Sequence, residues 1–217
     1  MHEARAMQGD ASAMTIKPVS FGYAAILVSA MAVACSPPAE KPSADVVAAT
    51  PARAPMTVEE VNGAQQAWCD ALLNISKAHA EGADYASIAV SVLETNYNYP
   101  VGRVLFNPTL TFGNQTFRLD KEGAAAYFIG GNPSFPNDDG FALKGWTGCA
   151  FDNGANNDGV LIDGDFAFTM GNVMLTNAAG DVTTVDKFWA FKRDEAGKLR
   201  IVVHKSSLPN AVPAGMK

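Results

Sequence analysis

The fold is decided by residues 163–207, DGDFAFTMGNVMLTNAAGDVTTVDKFWAFKRDEAGKLRIVVHKSS. Asp163-Gly164 is a two-residue hairpin signal, because both residue types tolerate the left-handed backbone such a turn requires. Residues 165–176 then alternate, with Phe166, Phe168, Met170 and Met174 on one face. Asn177-Ala178-Ala179-Gly180 and the stretch 194–197 read as further turns. They leave strands over 183–193 and 199–207. Three long strands joined by tight turns pair in antiparallel fashion.

Upstream, alternation extends to 141–151. Phe141, Leu143, Thr147, Cys149 and Phe151 point one way, and Lys144 and Trp146 the other, which predicts one more strand. Earlier still the period is helical. Thr57 and Glu60 form a capping box, and Val61, Ala64, Trp68, Leu72 and Ile75 make one apolar stripe that Gly82 ends. Asp84 caps a second helix carrying Ile88, Val92 and Leu93, closed before Pro100. Asp120 caps a third, short helix over 124–128, stopped by Gly130-Gly131. Helices followed by a meander predict an α+β domain over 57–210. Helices packed into a curved antiparallel sheet would make a cone with a pocket between them.

Residues 1–34 read as a leader. The run 21–34 carries no charge and follows Lys17, as a secretory signal does. Glu3 and Asp10 make residues 1–13 a poor basic region, so translation is expected to start at Met14. Ala32-Val33-Ala34-Cys35 resembles a bacterial lipobox, with Ala32 where Leu is usual. Cys35 is the expected lipidation site, followed by a Pro- and Ala-rich tether over 36–56. The expected location is therefore periplasmic, attached to the membrane through a lipid alone. The alternative is ordinary cleavage, giving a soluble periplasmic protein.

Composition removes other classes. The 217 residues hold 16 Lys+Arg against 22 Asp+Glu, a net charge of −6, with no basic block for nucleic acid. Three cysteines cannot build a disulfide-dense scaffold, and 48% apolar residues are too many for a disordered chain. The three histidines are His2, His79 and His204, and His2 lies in the leader. A three-histidine zinc site is thus out of reach of one mature chain, and no H-E-x-x-H, C-x-x-C, P-loop or G-x-S-x-G occurs.

His79 lies at a helix end and reads as packed or dipole-favoured. On the last strand His204 and Ser206 share one face, and Lys205 and Ser207 the other. Tyr127 falls on the short helix, and Thr109 follows Asn107-Pro108. Phe166, Phe168, Phe188 and Trp189 read as sheet packing. Asp186 is either a solvated strand-face charge or a pocket acid. Cys69 and Cys149 are either paired or separately buried.

The pieces V-L-F-N-P-T, K-E-G-A-A-A-Y-F-I-G-G, D-D-G-F-A-L-K-G-W, T-M-G-N and G-K-L-R-I-V-V-H-K-S-S-L-P, in that order, resemble the iota-class carbonic anhydrases, specifically their metal-free bacterial and algal branch. The resemblance covers residues 61–209 and implies a cone of the nuclear transport factor 2-like and SnoaL-like superfamily. It further implies reversible hydration of carbon dioxide to bicarbonate, no cofactor and no metal, and a homodimer formed sheet to sheet. It assigns Thr109, Tyr127, His204 and Ser206 as the catalytic set. The family's last-strand motif is usually His-His-Ser-Ser, and Lys205 stands here in place of the second His. Two other readings accompany this one. One is a ligand-binding or oligomerisation module of the same fold. The other is a SnoaL-like isomerase or cyclase, which would need Asp186 paired with His204.

Overall fold

The computed structural model describes residues 53–211 and Gly215; the leader, Cys35 and nearly all of the tether lie outside the described residues. Helix α1 spans Val58–Ala80. Thr57 and Glu60 close its capping box in both directions, and the chain leaves at Gly82, whose φ is 68°. Helix α2 (Tyr85–Thr95) is capped by Asp84, and α3 (Lys121–Ile129) by Asp120. Gly130 ends α3 at φ 66°, with Asp138 O only 3.0 Å from where a Cβ would stand, so any side chain there would both strain the backbone and collide.

The sheet has six strands: β1 (Leu105–Asn107), β2 (Trp146–Asp152), β3 (Val160–Asp163), β4 (Phe166–Asn177), β5 (Val182–Arg193) and β6 (Leu199–Ser207). Its order is β1-β6-β5-β4-β2, with β3 also on β4. The expectation of a purely antiparallel sheet is corrected at one edge. The three-residue β1 pairs with β6 in parallel, Phe106 against His204. The class remains α+β, as a mixed sheet with helices on one face.

Residues 141–143 are a 3₁₀ turn rather than the start of a strand. Gly140 (φ 79°) and Gly145 (φ 71°) bracket the segment and break the extended path. Strand β2 therefore begins only at Trp146.

The core lies between α1 and the inner sheet face. Val61, Trp68, Leu72 and Ile75 of α1 are buried against Ala167, Val173 and Leu175 of β4 and Val185 and Trp189 of β5. The Cys69–Cys149 disulfide links α1 to β2. Phe166 and Phe168 lie on the outer face, where Phe168 stacks on Phe188 at 6.5 Å between centroids. Of the four aromatics read as sheet packing, Trp189 alone belongs to the buried core.

Candidate active site

Two neighbouring clusters occupy the inner face where β5 and β6 meet β1. The first is built of hydroxyls. Thr109, two residues past the end of β1, donates from Oγ1 to Ser206 Oγ at 2.8 Å. Tyr127 reaches the same loop from α3. Burial holds its phenol well above its ordinary value, and the polar groups of Leu110 and Thr109 beside it oppose that rise. Tyr127 is thus a neutral donor at any physiological pH. Its ring is fixed by Phe141 (5.3 Å, stacked), Phe106 and Phe128. Tyr127, Leu110, Phe112, Asp138 and Phe141 line a cavity of about 120 Å³, room for more than one water-sized guest. Beside it a bidentate ion pair, Arg118 Nη2 to Asp138 Oδ1 at 2.7 Å, ties the loop after β1 to the loop after α3.

The second cluster centres on His204, which is 1% exposed. Phe106 stacks on its imidazole at 4.5 Å, and Trp68, Tyr97 and Trp189 complete an aromatic box. Both ring nitrogens are engaged. Nδ1 lies 2.8 Å from Tyr97 Oη, and Nε2 lies 2.7 Å from Lys187 Nζ. Trp68 Nε1 donates to Tyr97 Oη at 2.9 Å, so the chain runs Trp68–Tyr97–His204–Lys187. Burial, and secondarily the charge of Lys187, hold the His204 pKa well below its usual value. Burial alone lowers the Lys187 amine from 10.5 to about 7.

The structure thus brings Thr109, Tyr127 and Ser206 together and puts His204 on the same inner face, two residues from Ser206, hydrogen-bonded to other partners. Lys205 is exposed and bonds Ser207. Its departure from the family motif therefore falls on the outer face, away from both clusters. Asp186 also lies outside, bonded to Asn172, so it is a solvated strand-face charge and makes no pair with His204. His79 packs edge-on to Tyr85 at 5.0 Å.

Two residues of this region escape a reading by residue type. Tyr97 follows α2 in an irregular connection. Lys187 looks like a surface charge, yet it has the strand parity of the buried Val185 and Trp189 and faces Ser206 directly in the β5–β6 register. That parity was the available signal. Among the described residues, no group of three or more His, Cys, Asp or Glu side chains is placed to hold a metal ion.

Residues 59–208 match the model of the metal-independent carbonic anhydrase family. The chain belongs to that family. A metal-independent carbonic anhydrase of Nostoc sp. (strain PCC 7120) is 46% identical over 156 residues, 71% of this chain and 74% of that one. The crystal structure of an iota-carbonic anhydrase from a cyanobacterium, complexed with bicarbonate, is 43% identical with a TM-score of 0.69, covering 73% of this chain and 95% of that one. A nuclear transport factor 2-like superfamily protein from Salmonella enterica is 12% identical with a TM-score of 0.43, covering 73% and 95%.

Proposed function

We propose that this family member interconverts carbon dioxide and bicarbonate at the Thr109–Ser206–Tyr127 cluster, using hydroxyl groups where other anhydrases use a metal. The observation that carries the reading is the Thr109–Ser206 hydrogen bond facing a buried, neutral Tyr127, inside a chain that matches this family along its whole folded domain.

Hydration needs an oriented water, donors for the oxygens of carbon dioxide and a place for one proton. Ser206 and Thr109 hold the water. As its oxygen bonds to carbon, charge grows on the oxygens of carbon dioxide, where Tyr127 and the Ser206 hydroxyl donate. The proton goes to the Lys187–His204 pair across the strand from Ser206, which is neutral above pH about 7. Within that pair His204 holds the Lys187 amine through Nε2 and is itself held by Tyr97 through Nδ1. Purified protein treated with chelator is expected to hydrate carbon dioxide in a stopped-flow pH assay. A rate no higher than buffer refutes the reading.

The same proposal places the protein in the periplasm on a lipid at Cys35, supported by the leader pattern and by a disulfide that suits an oxidising compartment. A second copy is proposed on the outer sheet face, where Met170 is 68% exposed beside the Phe166–Phe168–Phe188 ladder. Mass spectrometry of the membrane fraction tests the anchor: an unmodified N-terminus rejects it. Light scattering tests the dimer: a monomer mass at micromolar concentration rejects it.

A further inference from the structure

Lys187 is an unusual lysine. Among the described residues three basic side chains other than histidine are buried, and Arg118 and Arg193 each meet a carboxylate. Lys187, 5% exposed, meets none. Its Nζ faces His204 Nε2 from β6 at 2.7 Å, the Trp68 ring from α1 at 4.5 Å and the Trp189 ring of its own strand at 5.5 Å, with Ser206 opposite in register and Tyr97 behind His204. Every group around the amine is neutral or basic.

An ammonium there would carry three protons with one conventional acceptor. A neutral amine fits better. With His204 in the tautomer protonated at Nδ1, the amine donates one N–H to Nε2 and keeps its lone pair. That is the state that attacks carbon dioxide, and the site sits one cross-strand step from the hydroxyls proposed to handle that gas.

We propose that Lys187 is a covalent carbon dioxide site, its amine adding to the gas to form a carbamate while His204 takes the displaced proton. The nitrogen lone pair forms the N–C bond, and one C=O π pair moves onto oxygen. An N–H bond breaks with its electrons kept by nitrogen, and the proton passes to His204 Nε2 along the existing hydrogen bond. No other reactant enters. The product sets a carbamate anion beside an imidazolium whose Nδ1–H donates to Tyr97 Oη, so the charges in the box balance. Donors for the anion are at hand. Ser206 lies opposite, and Trp189, whose ring borders both Lys187 and His204, carries the buried side-chain N–H that has no partner among the described residues. The proposal rests on the hydration reading in taking the same small molecule, and it opposes that reading's proton transfer, because a carbamylated Lys187 has no basic amine, so the carbamate is a resting state of the site.

The test uses the full protein with 15N at every lysine Nζ, equilibrated with 13C-labelled carbon dioxide at pH 8 and read by 13C NMR. One carbamate carbon per chain is expected, split by direct coupling to 15N, lost on degassing and fading as the pH falls below about 7. Lys187→Met is expected to lose the signal while circular dichroism shows an intact fold. Tyr127→Phe is expected to keep the signal while its hydration rate falls. Absence of a 15N-split signal in the native protein overturns the proposal, and so does a signal that survives Lys187→Met. A split signal in a protein that hydrates no carbon dioxide leaves this proposal standing and removes the hydration reading.

Discussion

Lys187→Met is expected to remove a pH dependence from folding stability. The amine titrates at about 7 in the fold against 10.5 for an ordinary lysine, a gap of 3.5 units. At about 1.4 kcal/mol per unit, the buried cation costs about 5 kcal/mol relative to an exposed one. The sign follows from proton counts. Below pH 7 the amine is charged in both the folded and the unfolded chain, and the full cost is present. Between pH 7 and 10.5 the unfolded chain keeps a proton that the fold has released, so raising the pH favours the fold. From pH 7 to 9 the native protein should gain about 2–3 kcal/mol from this site. Met fills a similar volume without charge and gains nothing from it. At pH 7 the variant should be the more stable, by less than the full cost, because His204 Nε2 loses its partner. Urea unfolding at pH 7 and pH 9 in carbon dioxide-free buffer measures both effects. Parallel shifts in the two proteins between those pH values would refute the reasoning.

Other consequences are open to measurement. Reducing Cys69–Cys149, whose partners are 80 residues apart, should cost about 4–5 kcal/mol by loop entropy, seen as a lower urea midpoint in reductant; an unmoved midpoint contradicts it. Arg118→Met should cost about 3–5 kcal/mol by leaving the Asp138 carboxylate buried alone, and Arg118→Met with Asp138→Leu should recover most of that loss in the same unfolding assay. The hydration kcat/KM should fall as pH drops through about 7, because protonated Lys187 no longer accepts a proton, and this limb should vanish in Lys187→Met.

Local chemistry made the helices legible. Thr57, Asp84 and Asp120 each cap with a side-chain oxygen, so their signals lie within four residues of sequence. The long hairpins were legible for the same reason. Strand β1 was not, since three residues carry no period and gain their partner only from β6, about a hundred residues away. The segment at Phe141 alternates like a strand, and the flanking positive-φ glycines decide otherwise. In the site, Thr109, Tyr127 and Ser206 were named through motif likeness, and alternation put His204 and Ser206 on one face of β6, but apolar residues on both faces hid which one points inward until their burial was seen. Tyr97 and Lys187 were missed because their roles come from burial. A lysine reads as solvent-facing until its register against Ser206 is known.

The most direct measurement is the hydration rate of chelator-treated Tyr127→Phe, Thr109→Val and Ser206→Ala beside the native protein. Each removes one hydroxyl while keeping much of the side chain's shape, and loss of one such donor lowers turnover about 10²–10³-fold in other oxyanion sites. A fall of that order in Tyr127→Phe and Ser206→Ala, with native circular dichroism and thermal midpoint, is the predicted result. Native-like rates in all three variants would contradict the account.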